Sequence, residues 1–304
     1  MRIVYMGTPD IAAIILKRLL EEPYEIVLTV TQPDRPKGRG KELAKSPVKV
    51  LSEEHGIPVF QPERLRNPEA VAVIREAKPD MIVVAAFGQI LPKEILDMPK
   101  YGCINVHASL LPAYRGAAPI QWAVLDGQKE SGVTIMYMNE GLDTGDILLQ
   151  KRVSLSPEET GGSLYDTLSV MGAELLTEAI PKIVDGTLTA VPQGEMTTAY
   201  AKQLTKEMGR LDFTRPAEEL ERYIRGLNPW PGTYTQLDGK TFKIWRAEVV
   251  TLTDSSLEIG TVTDITKKSF TFVTGKGGLR VLELQPEGKR RMTTEEFLRG
   301  YHFH

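Results

Sequence analysis

The chain has 304 residues, of which 41% are hydrophobic and 25% are charged, and its formal net charge at pH 7 is −3. These are globular proportions, and the length favours two domains over one. The single cysteine, Cys103, excludes an internal disulfide and a cysteine-rich zinc site. Apart from a pair at the C-terminus, the four histidines are scattered, and we expect no metal site.

The N-terminal sequence MRIVYMGTPD has only a short apolar run before Gly7. It lacks the apolar core of a secretory signal and the composition of a transit peptide. No apolar stretch approaches the roughly 20 residues that a membrane-spanning helix requires. We therefore expect a soluble cytoplasmic protein.

Short apolar runs alternate with helical patterns through the first 155 residues. Alternation of this kind predicts an α/β fold, a Rossmann-like and mostly parallel sheet with helices on both faces. The predicted strands cover residues 2–6, 25–32, 81–87, 103–109 and 132–138, and the helical patterns cover 9–21, 69–77 and 118–126.

The pattern changes in the second half of the chain. A long helix is predicted over 163–184, and residues 189–206 lack strong periodicity and indicate a linker. The run TYTQL-DG-KTFKIW at 233–245 is a strong hairpin signature, and further short strands follow it. We therefore predict a domain of residues 1–188, a linker of 189–206, and a C-terminal, OB-like β-barrel domain of 207–304.

The stretch GCINVHASLLPAYRG, residues 102–116, begins as a buried strand and ends as a loop that contains proline and glycine. Side chains alternate along a strand, so Ile104 and Val106 face the core while Asn105 and His107 share the other face. This pair could donate hydrogen bonds to a developing oxyanion, and an imidazole can also move a proton near neutral pH. Ligand crevices of α/β sheets lie beyond the carboxyl ends of their strands, which is where the pair is expected.

Two other interpretations of this strand are open. His107 could simply end the strand and bond a loop carbonyl, and we weigh that reading about equally with the catalytic one. Cys103 shares the parity of His107, but four residues of strand separate the two by about 13 Å. That separation excludes a Cys–His nucleophile, and Cys103 is expected to be a small buried side chain.

The run GLDTGDILL at 141–149 places a carboxylate in a glycine-bounded turn after a predicted strand. Asp143 would lie beside His107 if the two strands are neighbours, and it would then orient the imidazole and favour its protonated form. Asp146 is the rival carboxylate, and an aspartate in such a turn often serves only the turn itself.

Residues 32–49, QPDRPKGRGKELAKSPVK, carry six basic side chains against Asp34 and Glu42. The prolines and glycines argue against regular structure through residue 47. A basic loop near the proposed crevice predicts salt-sensitive contact with phosphate, although charge runs are usually solvated surface. The net charge of +2 over residues 206–304 is compatible with the same kind of partner.

The motifs INVHASLLPAYRGAAPI and GLDTGD resemble those of the folate-dependent formyltransferase superfamily, whose catalytic Asn, His and Asp match Asn105, His107 and Asp143. GTPDIAA, TQPDRPKGRGKEL, FGQILP and GLNPWPGTY are similar to the bacterial members that act on methionyl-tRNA.

The resemblance implies formyl transfer from 10-formyltetrahydrofolate to the α-amino group of methionine on initiator tRNA, in translation initiation. It implies folate contacts by Ser109, Leu110, Leu111, Pro112, Phe87 and Gly88, and tRNA contacts by Arg35, Lys37, Arg39 and Lys41. No metal is implied, and a monomer is expected. The rival functions are a formyltransferase for a small amine, such as a purine-pathway ribonucleotide or an amino sugar nucleotide, and a non-catalytic RNA-binding protein.

Overall fold

A computed structural model describes residues 1–37, 42–237, 239–254 and 256–303, without the side chains of Lys37 and Glu42. The chain forms two compact units. The first contains Met1–Pro119, Glu130–Ser154 and Tyr165–Ala201, and the second contains Ile120–Lys129, Leu155–Leu164 and the described residues of Lys202–His304. Unlike the proposed boundary after residue 188, this grouping extends the first unit to Ala201 and assigns two short internal segments to the second unit.

In the described part of the chain, nine strands and six helices precede the segment that leads into the C-terminal domain. In chain order they are β1 (Arg2–Gly7), α1 (Asp10–Leu19), β2 (Glu25–Val30), β3 (Arg35–Lys37), β4 (Glu42–Ala44), α2 (Pro47–Glu54), β5 (Val59–Phe60), α3 (Pro68–Glu76), β6 (Met81–Ala85), α4 (Lys93–Leu96), β7 (Cys103–His107), α5 (Pro119–Leu125), β8 (Glu130–Tyr137), β9 (Ile147–Ser154) and α6 (Gly161–Val184).

Seven of these strands form one sheet in the order β5-β2-β1-β6-β7-β8-β9. The first five pair in parallel, and β8 runs antiparallel to both of its neighbours. Gly172 of α6 lies close to Val106 and to Ile15 of α1, which places these helices on one face. On the other face, β-strand side chains share a buried cluster with Ile74 of α3 and Ile95 of α4. The predicted mostly parallel sheet with helices on both faces is therefore confirmed.

The basic segment after β2 differs from its prediction. β3 and β4 form a two-stranded antiparallel ribbon, with Arg35 opposite Ala44, and α2 begins at Pro47. The prediction of no regular structure through residue 47 was therefore wrong for the flanks of this segment. The reason lies outside its composition: Lys49 of α2 bonds Asp34 at 2.6 Å, and Gln61 after β5 bonds the same carboxylate at 2.8 Å. These contacts fix the base of the ribbon.

The second unit contains an antiparallel half-barrel. Its elements are a short 3₁₀ helix (Glu207–Gly209), α7 (Ala217–Gly226), β10 (Thr233–Leu237), β11 (Lys240–Val250), β12 (Val262–Thr263), β13 (Phe270–Val273), β14 (Gly278–Pro286), β15 (Met292–Thr293) and α8 (Thr294–Leu298). The strand order is β10-β11-β14-β13-β12, and β15 pairs with β14. The predicted hairpin is present as β10 and β11, and the core beneath it contains packed rings such as Phe270 and Phe297.

Cys103 lies in the interior of the first unit and is 2% exposed. Its sulfur lies 3.5 Å from the carbonyl oxygen of Ile95. Burial, with a smaller contribution from the charge of Asp97, raises the pKa of the thiol to about 12. A thiol of this kind is protonated at neutral pH and does not act as a nucleophile.

In the part of the chain that the structure describes, no helix has both the length and the hydropathy of a membrane-spanning segment.

We expect the Cys103 thiol of the native protein to resist alkylation and disulfide exchange at pH 8. Because the thiol is both buried and protonated, reaction with a chromogenic disulfide should be at least about 100-fold slower than in the urea-unfolded chain. The chain has one cysteine, so the absorbance change reports this residue alone. Comparable rates in the two states would contradict the assignment.

Candidate active site

The candidate site lies at the C-terminal end of β7. Ile104 and Val106 are buried on the face that α6 covers, and Asn105 and His107 project into the opposite layer. Asn105 is 8% exposed and His107 is 7% exposed. The two polar side chains therefore share one nearly closed environment, in which electrostatic interactions are strengthened.

The two ring nitrogens of His107 face different acceptors. Nε2 lies 3.0 Å from the backbone carbonyl oxygen of Tyr114, a hydrogen-bond distance. Tyr114 has a left-handed backbone, with φ of 56°, and its own N–H donates to the Thr198 hydroxyl at 2.8 Å. The loop after β7 thus turns a main-chain carbonyl back onto the ring, and Nδ1 is left as the nitrogen that can serve a substrate.

Asp143 approaches His107 from the loop after β8. Its Oδ1 lies 3.8 Å from His107 Nδ1, within ion-pair range but longer than a hydrogen bond. Its Oδ2 accepts a hydrogen bond from the N–H of Gly116 at 2.9 Å. A carboxylate held in this way can balance positive charge on the ring without occupying Nδ1.

The path of this loop follows from the antiparallel direction of β8. The N–H of Met138 donates to the carbonyl of Cys103, at the start of β7, whereas Asp143 lies beside the ring of His107, at its end. Residues 138–143 therefore run along β7 toward its carboxyl end.

The Asn105 side chain makes no hydrogen bond to any residue in the part of the chain that the structure describes. Asn105 is 8% exposed, and its amide keeps some contact with solvent, since Thr271 Oγ1 is the one fully buried side-chain polar atom without a partner among the described residues. The amide is therefore available to a bound group in the same layer as His107.

The turn of Ser109–Pro112 is held by side chains from the two neighbouring strands. The Thr134 hydroxyl donates to the carbonyl of Ser109 at 2.7 Å and accepts from the N–H of Leu111 at 3.1 Å. Gln150 donates to the carbonyl of Leu111 at 2.8 Å. Ser109 and Leu111 are buried, and Leu110 and Pro112 are partly exposed, so the last two form the accessible surface of the turn.

The other segment expected to contact folate follows β6. Phe87 is 2% exposed and packs in the core, so the accessible part of this segment is Gly88. The Phe87 carbonyl accepts from the Gln32 side chain at 3.1 Å and from the Thr8 hydroxyl at 3.3 Å. Gly88 is exposed and has φ of 84°, a conformation that favours glycine.

Two lysines of the basic segment of residues 32–49 are paired with carboxylates. Lys45 bonds Glu53 at 2.6 Å and Lys49 bonds Asp34 at 2.6 Å. Hydrogen bonds from Lys49 and Gln61 lower the pKa of the Asp34 carboxyl. Arg35 is exposed on β3, as the prediction of nucleic-acid contact requires. Arg39, Lys41 and the side chain of Lys37 lie outside the described residues.

Several residues at the site were not found from the sequence. Tyr114, Thr134, Gln150 and Gln193 hold the loops around the end of β7 by hydrogen bonds, most of which join distant parts of the chain. The nearest signal that could have found Thr134 and Gln150 is the pairing register of the sheet, which aligns them with His107 across β7, β8 and β9.

No group of three or more metal-binding side chains occurs in the described part of the molecule.

Solved structures share this fold. An N-formyltransferase from Helicobacter canadensis, solved with folinic acid and dTDP-3-aminofucose, matches with a TM-score of 0.66 at 17% identity, over 95% of this chain and 99% of that one. HypX from Aquifex aeolicus, in complex with tetrahydrofolic acid, matches with a TM-score of 0.64 at 17% identity, over 100% of this chain and 48% of that one. At these identities the likeness establishes the fold alone.

Sequence relatives are much closer. The methionyl-tRNA formyltransferase of Agathobacter rectalis is 52% identical over 302 residues, which cover 99% of this chain and 97% of the relative. That of Geobacter metallireducens is 49% identical over 298 residues, covering 98% and 95%. A formyl transferase family model matches residues 1–180, and the model of the formyl transferase C-terminal domain matches residues 203–302. This chain belongs to the formyl transferase family, and within it to the methionyl-tRNA formyltransferases.

Proposed function

We propose that this chain transfers a formyl group from 10-formyltetrahydrofolate to the α-amino group of methionine on initiator tRNA. The observation that carries the proposal is the 52% identity to a methionyl-tRNA formyltransferase over 99% of the chain, which includes both family models. Such a reaction prepares the initiator tRNA for protein synthesis and belongs to the cytoplasm.

In the proposed reaction the neutral amine attacks the formyl carbon, and negative charge grows on the formyl oxygen. The free amide of Asn105 and a proton on His107 Nδ1 are the donors that would stabilise this oxygen. One such donor contributes about 3–4 kcal/mol in an enclosed site. The near-complete burial of both side chains supports this role, because a preorganised donor away from water needs no reorganisation.

A proton must also move from the attacking amine to N10 of the folate before tetrahydrofolate leaves. His107 suits this transfer in its charged form: Nε2 is bonded to the Tyr114 carbonyl, so Nδ1–H would pass its proton to N10 and Nδ1 would then take the proton that the amine releases. Asp143, 3.8 Å from the same nitrogen, would offset the positive charge of the ring before and after this exchange. In this scheme the carboxylate acts through the ring and through solvent.

The folate is proposed to lie between the turn of Ser109–Pro112 and the backbone of Phe87 and Gly88. The fit is chemical: Leu110 and Pro112 offer partly exposed apolar surface to a flat ring, and Gly88 lacks a side chain where a ligand would approach the backbone. The polar atoms of the turn are already bonded to Thr134 and Gln150, so its shape is fixed before the ligand binds.

The tRNA is proposed to contact the ribbon through Arg35, Lys37, Arg39 and Lys41. The pairing of Lys45 and Lys49 with carboxylates supports this choice, because those two cations are occupied at the base of the ribbon. A transferase for a small amine needs no such basic extension.

The decisive assay supplies 10-formyltetrahydrofolate as donor with methionyl-tRNA, unacylated tRNA and small amines as parallel acceptors. We expect formylation of methionyl-tRNA alone. Turnover of an amino sugar nucleotide in preference to methionyl-tRNA would favour the rival transferase, and retention of tRNA without turnover would favour the non-catalytic RNA-binding protein.

Substitution of the proposed catalytic residues should lower the chemical rate with little change in tRNA affinity. We expect Asn105→Ala and His107→Ala each to lower single-turnover formylation at least about 100-fold, because each removes a donor to the formyl oxygen. Asp143→Asn should keep the fold and lose most activity, and Asp146→Asn is the matched control. Wild-type rates in either alanine variant, or activity that depends on Asp146 instead of Asp143, would contradict the assignment.

Arg39→Ala should weaken tRNA binding and make it less sensitive to salt. Each phosphate contact that is lost lowers the slope of log Kd against log salt by about 1. The measurement is a binding titration over a series of salt concentrations, and Lys45→Ala, which removes a cation paired with Glu53, is the control. An unchanged slope for Arg39→Ala would exclude a phosphate contact.

A further inference from the structure

The segment after α6 is more than a connection between domains, because it contacts the loops of the catalytic site at several points. Val191 pairs with Ile147, Thr198 accepts from Tyr114, and Ala201 accepts from Ala117. Between these points, Gln193 reaches the loop that carries Asp143. We propose that Gln193, held in place by Arg115, is a positioning residue for the Asp143 carboxylate. This inference rests on the proposed function for its kinetic part only.

The Gln193 amide is satisfied by three partners of fixed chemistry. Its Nε2 donates to the carbonyl of Asp143 at 2.8 Å and to the carbonyl of Gly145 at 2.6 Å. Its Oε1 accepts from Arg115 Nε at 3.0 Å. Because carbonyls only accept and a guanidinium only donates, the partners determine which end of the amide is nitrogen. The side chain therefore bonds the backbone of the loop at two residues, Asp143 and Gly145.

The loop needs such a clamp because of its backbone. Asp143 has φ of 55°, a left-handed conformation that is unfavourable for residues other than glycine unless the surroundings impose it. The base of the loop is fixed locally, since Gly141 N–H and the Thr144 hydroxyl both bond Asn139 Oδ1. Gln193 fixes the part of the loop that lies nearest to His107.

Arg115 connects this clamp to the strand that carries His107. It lies in the loop after β7, and besides bonding Gln193 it donates through a terminal nitrogen to the carbonyl of Gly194 at 2.9 Å. The next residue, Gly116, donates its N–H to Asp143 Oδ2 at 2.9 Å. The loop after β7 thus acts on Asp143 in two ways. Gly116 bonds the Asp143 carboxylate, and Arg115 bonds the Gln193 amide that holds the Asp143 backbone.

The consequence is that the distance between Asp143 and His107 depends on a residue that contacts neither the ring nor the carboxylate. Without the amide donors, the left-handed turn at Asp143 is free to relax, and its carboxylate to leave both Gly116 and the ring. A displacement of about 1 Å in a catalytic group can lower a rate by about 100-fold.

The test compares Gln193→Ala and Gln193→Glu with the control Glu195→Ala. Glu195 is exposed in the same segment. Gln193→Glu keeps an acceptor for Arg115 but loses both donors to the loop, so it should behave like Gln193→Ala. We expect both variants to lower kcat for methionyl-tRNA formylation by about 10- to 100-fold, with KM for either substrate changed less than about 3-fold.

Hydrogen exchange of the Gly116 amide, followed by NMR, provides a readout that does not depend on activity. We expect it to be at least about 10-fold faster in both Gln193 variants and unchanged in Glu195→Ala. Normal kcat in a folded Gln193→Ala protein, or normal protection of Gly116 in that variant, would overturn the inference. If the wild-type chain does not formylate methionyl-tRNA, the proposed function fails, and the exchange of Gly116 still decides whether Gln193 holds Asp143.

Discussion

The antiparallel pairing of β8 with β7 is the constraint on which the site depends. It aligns Asn105 with Met136 and His107 with Thr134, and because it ends β8 beside the start of β7, the loop after β8 must return along β7 before Asp143 reaches the ring. A slip of one residue in this pairing would move Thr134 to the opposite face, away from the turn of Ser109–Pro112. Strand register therefore sets both the geometry of the candidate site and the shape of the adjoining turn.

Much of the fold could be predicted because its signals are local. The strands at 2–7 and 103–107 are compact apolar runs, and the hairpin at 233–245 contains a favoured turn dipeptide. β9 was not predicted because it is an edge strand with several exposed residues and lacks that apolar density. The ribbon of β3 and β4 was missed because it is anchored by contacts of Asp34 with Lys49 and Gln61. The residues of the ribbon themselves do not predict these contacts.

The candidate site likewise contains residues that local sequence predicts and residues that it does not. The shared face of Asn105 and His107 follows from alternation along a strand, and Asp143 could be proposed because it occupies a glycine-bounded turn. The hydrogen bonds that Gln193 donates cross about 50 residues of sequence, the one that it accepts from Arg115 crosses 78, and that of Tyr114 N–H crosses 84. Gln193 lies in a stretch without periodicity, so its pattern indicated only a linker. Long-range polar contacts of this kind depend on the completed fold and leave no mark on local sequence.

The bond from His107 Nε2 to the carbonyl of Tyr114 has a consequence for how the family is compared. Every amino acid brings the same peptide oxygen, so the acceptor persists through any replacement that tolerates the left-handed backbone at this position. Aligned sequences could therefore vary at position 114 while the orientation of the imidazole stays the same.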